Sequence, residues 1–213
     1  MDELNELAEQ IWKTLNPIQT KNQPIAIFMM GIPASGKSSS IDIVLPELSL
    51  TREDFIHIDP DIFMSLIENY SNNQASNFNK QGVIISNRIL SKIYESSKKH
   101  NYIYYGTGRG YKSYITMINK ANKLGFYTIL VRVDLVLEEA LKRSKKRKRS
   151  LNNNIIRRIN NSLKEKHRRK KGKTYVEQTN FEILSEKVDT WYIIDNNGVR
   201  PRISSRSREQ YIK

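Results

Sequence analysis

The run Gly31-Ile32-Pro33-Ala34-Ser35-Gly36-Lys37-Ser38 fills every fixed position of the pattern G-x-x-x-x-G-K-[ST]. What flanks it gives the pattern its force. Ahead lies Ile25-Ala26-Ile27-Phe28-Met29-Met30, apolar throughout and bounded by Pro24 and Gly31, which predicts a strand buried on both faces of a parallel sheet. Behind it, Ser38 to Leu45 can form a short helix that Pro46 stops. A strand, a glycine loop and a helix start in that order form a phosphate cradle. Backbone N–H groups of residues 32 to 38 would line a concavity, and the positive end of the helix would add to their field. Gly31 and Gly36 would let the backbone approach a ligand where a Cβ would obstruct it. Gly31, Ile32, Pro33, Ala34, Ser35, Gly36, Lys37 and Ser38 are therefore predicted to hold a nucleotide. Lys37 would bridge its β- and γ-phosphates, and the Ser38 hydroxyl would ligate Mg²⁺.

The rest of the chain alternates in a way that suits this start. Leu4, Leu7, Ile11 and Leu15 recur at helical spacing, which predicts an amphipathic helix over residues 2 to 15 packed on the domain. Phe55, Ile56 and Ile58 mark a second strand that ends in Asp59-Pro60-Asp61, with a helix after it that turns Ile62, Phe63 and Leu66 inward. Residues 71 to 80 read as a polar loop, and 81 to 99 as a helix. Tyr102 to Tyr105 form a third strand that ends in Gly106-Thr107-Gly108-Arg109-Gly110, a turn or an anion site. A helix over 111 to 124, a fourth strand over 126 to 134 and a fifth over 191 to 196 follow. Strands alternating with helices predict an α/β fold, a three-layer α/β/α sandwich on a five-stranded parallel sheet of P-loop kinase type. In such a sheet ligands sit at the carboxyl ends of the strands, which places Asp59 and Asp61 near the phosphates.

One domain accounts for the 213 residues: a helix and linker over 1–23, a core over 24–200, and a polar tail over 201–213. The chain has no cysteine, which excludes disulfides and thiolate metal sites, and its three histidines are scattered. No apolar run reaches the roughly 18 residues that span a bilayer, and the acidic start lacks a secretory pattern. A soluble, cytoplasmic protein is expected.

The net charge of +14 is one local feature. Residues 142 to 173 hold 16 Lys and Arg against the single acid Glu165; subtracting these from 36 and 22 leaves 20 bases and 21 acids elsewhere. A near-neutral domain thus carries a dedicated anion-binding element. We read 142–173 as an arginine-rich helical lid, with a second helix from Asn154 to Arg169.

The guanine-reading Asn-Lys-x-Asp of switch GTPases is absent, and the strand-end acids Asp59, Asp61 and Asp134 come without the DEAD-like or Gly-Gln-containing segment expected of motor NTPases. A small kinase fits what remains, because phosphoryl transfer places charge on the γ-phosphoryl oxygens that arginines can neutralise. The chain resembles the zeta-toxin-like P-loop kinases over about residues 24 to 200. The likeness lies in Gly31 to Ser38, in Ile58-Asp59-Pro60-Asp61-Ile62-Phe63 and in Gly106-Thr107-Gly108-Arg109. It extends through Leu137-Glu138-Glu139-Ala140-Leu141-Lys142-Arg143, through Arg147, Arg149 and the next helix, and through Val188 to Asn196. The resemblance implies an ATP-dependent, Mg²⁺-assisted kinase acting on a hydroxyl. Lys37, Asp61 as base, and the lid arginines Arg143 and Arg149 would be catalytic; Arg147 would join the nucleotide site. Asp59, Arg109 and Arg158 would meet the substrate. The family's sugar-nucleotide kinases carry a glutamate where Tyr105 stands here. The acceptor is thus open between a nucleotide sugar, a nucleoside and a polynucleotide 5′-hydroxyl, with nucleic acid a candidate partner of 142–173. A non-catalytic protein that binds nucleotide and nucleic acid is the remaining alternative.

Overall fold

The structure is a computed structural model that describes residues 3–15, 18–20, 22–71, 75–147, 151–172 and 174–207. The central strand is β1 (Ile25–Met30), and all six of its residues are buried. It is flanked by β3 (Asn101–Tyr105) and β4 (Tyr127–Asp134), both parallel to it, in a register that sets Phe28 opposite Tyr104 and Leu130. Outside these lie β2 (Phe55–Ile58), parallel to β3, and β7 (Thr190–Asp195), parallel to β4.

Alternation along the strands divides the core. Ala26, Phe28 and Met30 join Tyr102, Tyr104 and Leu130 in one cluster, under α1 (Glu3–Thr14), α4 (Ala75–Glu95), α5 (Tyr111–Lys123) and α8 (Asn180–Ser185). Ile25, Ile27 and Met29 face the other way with Ile103, Ile129 and Val131, under α2 (Lys37–Val44) and the turn Leu45–Leu48. A smaller cluster of Ile32, Leu135, Ala140, Ile156 and Ile159 lies beneath α6 (Leu137–Lys145) and α7 (Asn153–Lys164). Two polar anchors set the strand starts: the buried Asn101 accepts through Oδ1 from the Ile25 amide at 2.9 Å, and Asp189, at the surface, accepts through Oδ2 from the Thr128 amide at 2.7 Å.

Five parallel strands stand where they are expected, but the sheet is mixed and has six. Residues 202 to 206, read above as tail, form β8 (Arg202–Arg206), antiparallel to β7 across the turn at Asn197-Gly198. As an edge strand β8 turns only Ile203 toward the core, so no apolar alternation announces it. The basic segment departs further from a helical lid. Its second helix ends at Lys164, and a hairpin follows, β5 (Lys166–Lys171) with β6 (Thr174–Thr179). The helix also begins earlier than expected after the second strand's acids. α4 starts at Ala75, and its first turns are held by Phe78 against Tyr70, ring centroids 5.6 Å apart, rather than by an apolar stripe.

After β2 comes the short helix α3 (Pro60–Met64), which buries Phe63 and Met64. Ile62 and Leu66, expected inward, are 54% and 51% exposed, because so short a helix meets α4 through one face only. The contact closes at Gly82, where a Cβ would stand 2.5 Å from the Pro60 carbonyl oxygen. A mid-helix glycine, costly by propensity, thus lets α3 seat itself and carry its two aspartates. α1 packs as expected, burying Ala8 and Ile11. Among the described residues no helix is long and apolar enough to cross a membrane.

Gly82→Ala sets about 1 kcal/mol of helix propensity against an overpacking cost of about 1–3 kcal/mol. Because the obstructing atom is backbone and cannot rotate away, the variant should lose roughly 1–2 kcal/mol of stability in urea unfolding. A stabilised variant would remove Gly82 from this role.

Candidate active site

Five strands of one direction end on one edge, so the loops after β1, β2, β3, β4 and β7 converge there. The loop after β1 turns back on itself through Gly31 at φ 149°, Ala34 at φ 64° and Gly36 at φ 86°. No side chain fits at either glycine. A Cβ on Gly31 would stand 2.7 Å from the Val133 carbonyl oxygen, and one on Gly36 2.5 Å from Asn196 Nδ2. Asn196, which ends the last matching stretch without a role predicted for it, acts as a clamp. Its Nδ2 donates to the Ser35 carbonyl at 2.7 Å, and its amide donates to the Asp134 carbonyl at 2.9 Å. The loop also takes support from the β3 side, where the Gly31 amide donates to the Thr107 carbonyl at 3.2 Å.

Lys37 opens α2 and points back over this loop. Its Nζ donates to the Gly31 and Ile32 carbonyls at 2.9 and 3.1 Å. The residue as a whole is part-exposed, but its ammonium end is enclosed. Burial pushes its pKa down from 10.5 to about 8; Asp61 and Asp59 pull the other way, and Arg147 adds to the lowering. That electrostatic contact joins residues from the second strand end and from the far side of α6 to the P-loop lysine.

A cavity of about 660 Å³ lies over the loop. Lys37 and Ser38 form its base, Asp59 and Asp61 one wall, and Arg109, Arg147 and Arg158 the rim. Asp59 N-caps α3, accepting from the Asp61 amide at 2.9 Å, so one carboxylate fixes the backbone that carries the other. Apolar side chains, Val83, Met117, Ile155 and Ile159 among them, complete the walls. Gly106 and Gly108 owe their place to packing. A Cβ on Gly106 would strike the Tyr114 hydroxyl at 2.2 Å, and one on Gly108 would meet Met30 at 2.7 Å. Arg109 alone of that loop brings charge to the cleft.

Arg143 stands apart. Its Nε donates to Glu139 at 3.0 Å and its Nη2 to the Asn196 carbonyl at 3.2 Å, so it braces the clamp from behind and does not line the cavity. Arg149 lies outside the described residues.

Tyr105 lines the cavity and is paired with His57 behind it. His57 Nε2–H can donate only to the Arg52 carbonyl, 3.0 Å away, which leaves Nδ1 to accept from the Tyr105 hydroxyl at 2.9 Å. Burial lowers the His57 pKa and raises that of Tyr105, so both are neutral. The pair rests on Arg52, which is bound to Asp42 at 2.9 Å and to the Ser38 carbonyl. Among the described residues no group of three or more His, Asp or Glu could hold a metal ion by itself.

Comparison with known proteins agrees with this geometry. The family described as "Zeta toxin" matches residues 8–199. No curated protein matches the chain in sequence. A solved structure from the PezAT chromosomal toxin–antitoxin system of Streptococcus pneumoniae superposes with a TM-score of 0.64 at 17% identity, over 94% of this chain and 81% of that one. A chain of the AvrRxo1-ORF1:AvrRxo1-ORF2 complex with sulphate ions gives 0.63 at 12% identity, over 96% of this chain and 65% of that one. The same complex with ATP gives 0.61 at 12% identity, over 96% and 64%. This chain therefore spans just under two thirds of the length of the AvrRxo1 chains. At such identities the structural likeness establishes the fold alone. The family match covers nearly the whole chain, and supports a kinase-type function: this protein belongs to the zeta toxin family.

Proposed function

We propose that the protein is an ATP-dependent kinase that transfers the γ-phosphoryl group to a hydroxyl of a substrate held in the cavity. One observation carries this reading. The P-loop lysine, two aspartates of a different strand end, Arg147 just past α6 and Arg158 on α7 face a single cavity. A nucleotide-holding protein without chemistry would have use for the first of these and none for the rest.

The roles follow from charge. Phosphates seated on the P-loop amides offer Lys37 better acceptors than the two carbonyls it holds in the free protein. Ser38, with phosphate oxygens and water, suits Mg²⁺, which takes few protein ligands. When bound, the ion would offset charge on the β- and γ-oxygens. Asp61 orients the acceptor hydroxyl and accepts its proton. Asp59 positions it through the α3 cap. Arg147 and Arg158 approach from the opposite rim to stabilise charge on the transferred group, and Arg109 faces the acceptor side. Arg143 serves as a positioning residue through Asn196. A related fold solved with ATP supports ATP as the donor.

The test is incubation with γ-labelled ATP, Mg²⁺ and a panel of nucleotide sugars, nucleosides and 5′-hydroxyl oligonucleotides. Label should pass to a hydroxyl acceptor. Asp61→Asn should slow transfer by about 10²- to 10⁴-fold, with ATP affinity retained, and Lys37→Ala should abolish transfer. Undiminished transfer in Asp61→Asn would exclude the assigned base. ATP binding with no acceptor labelled would favour the non-catalytic alternative.

A second expectation concerns pH. The folded-state pKa of Lys37, about 8, lies below the ordinary 10.5, so enclosure disfavours the charged form; the resulting loss of stability is full below about pH 8 and is relieved as pH rises from there toward 10.5. ATP requires the charged form. Its affinity should hold near pH 7 and fall above about pH 8 by up to about tenfold per unit, with uptake of a proton on binding. Calorimetry in buffers of different ionisation enthalpy measures both, and Lys37→Arg should flatten the profile. An affinity unchanged to pH 10 in the unaltered protein would contradict the assignment.

A further inference from the structure

The β5–β6 hairpin lies outside the cavity and has no part in the chemistry proposed above. Its two faces differ. On the inner face, Lys171 is paired with Glu186 at 3.0 Å, and His167 Nε2–H donates to Asn180 Oδ1 at 2.7 Å. On the outer face Lys166, Arg168 and Lys170 are exposed, and among the described residues none of the three has an ion pair. The register sets them opposite Thr179, Glu177 and Tyr175, so a single acid stands against three cations. Tyr175 is 60% exposed, with the Arg168 guanidinium 4.4 Å from its ring centroid.

We propose that this outer face binds single-stranded nucleic acid. Cations on alternate residues of a strand repeat every ~6.7 Å, close to the spacing of successive phosphates along one extended polynucleotide strand. The guanidinium laid on Tyr175 presents a flat cationic surface on which an unstacked base can rest. An anionic membrane would be met by such cations only alongside exposed apolar anchors. Among the described residues this face offers one large hydrophobic side chain, Tyr175, and the Arg168 guanidinium covers its ring. An extended acidic peptide shares that pitch, but it has no flat base to lay on the Arg168–Tyr175 surface.

The hairpin is fixed at its root beside the acceptor side of the cleft. Asn180, which takes the His167 hydrogen bond, donates to the Gly108 and Arg109 carbonyls at 3.0 and 3.3 Å. The His167 ring lies 4.7 Å from that of Tyr111, next to Gly110. A strand bound on the outer face therefore runs toward the loop that carries Arg109. Binding stands on the hairpin alone and holds whatever hydroxyl the cleft phosphorylates.

Fluorescence anisotropy with a 3′-labelled oligothymidylate of about 12 nucleotides, within the usual single-strand site size, tests it. Each phosphate contact on a single strand contributes about 0.7 to the slope of log affinity against log salt. The combined variant Lys166→Ser, Arg168→Ser, Lys170→Ser should therefore flatten that slope by about 2, with ATP affinity intact as the check on folding. Removing three charges on α6 instead, with Lys142→Ser, Lys145→Ser and Lys146→Ser, should leave the slope as it was. Tyr175→Ser should weaken binding about tenfold with the slope unchanged, as expected for a stacking contact. An equal loss from both triple variants would mean diffuse charge attraction and overturn the proposal. So would equal or tighter binding of the matching duplex. No oligonucleotide binding, together with hairpin-dependent sedimentation on phosphatidylserine vesicles, would assign the face to membranes instead.

Discussion

Everything at the cleft depends on a chain reversal that leaves no room for a side chain. Between β1 and α2 the backbone passes through the left-handed region at Gly36 so close to Asn196 that a single Cβ would collide with its amide. The amide that sets this limit also holds the loop, since its hydrogen bond to the Ser35 carbonyl ties the P-loop to the end of β7. The Asn196 backbone in turn reaches Asp134 at the end of β4, and its carbonyl takes Arg143 from α6. Three strand ends and the first helix of the basic segment thus share one polar joint. The Asn196 amide, its side-chain Nδ2 and its carbonyl each have a partner, which offsets their burial.

Around that joint the charges are arranged in tension. The enclosed ammonium of Lys37 donates to two loop carbonyls, and burial brings its pKa down to about 8. Asp59 and Asp61 favour its charged form, while Arg147 opposes it. A polyanion entering the cavity would relieve the lysine and the arginines together, so the free site is preorganised for anions and has little else to stabilise it. The neutral Tyr105–His57 pair on the α2 side contributes no charge to this balance. That sets this wall of the cavity apart from one bearing a glutamate.

The basic segment divides its work. Arg147 and Arg158 reach the cavity, Arg143 braces the P-loop clamp from behind, and the cations of β5 stand outside. A charge surplus that reads as one feature in the chain is, in space, three sites with different surroundings.

The chain by itself determined the central strand, the loop, the parallel strands and the aspartates at the second strand end. Each of these is written in a local pattern: six apolar residues, two fixed glycines, and carboxylates just past an apolar run. The resemblance of those stretches to one family also held over nearly the whole length. Tertiary structure alone decided the rest. β8 is an edge strand that exists because β7 offers it a ladder, and its own alternation is too weak to predict it. The first turns of α4 depend on Tyr70, and the placement of Asp59 and Asp61 depends on Gly82, a distant residue on another helix. The β5–β6 hairpin replaced an expected helix because Lys, Arg and His suit either state when exposed, and pairing with β6 and Asn180 settled the choice. Local pattern specifies where apolar surface must go. Only the closed fold specifies which distant backbone and which partner charge it meets there.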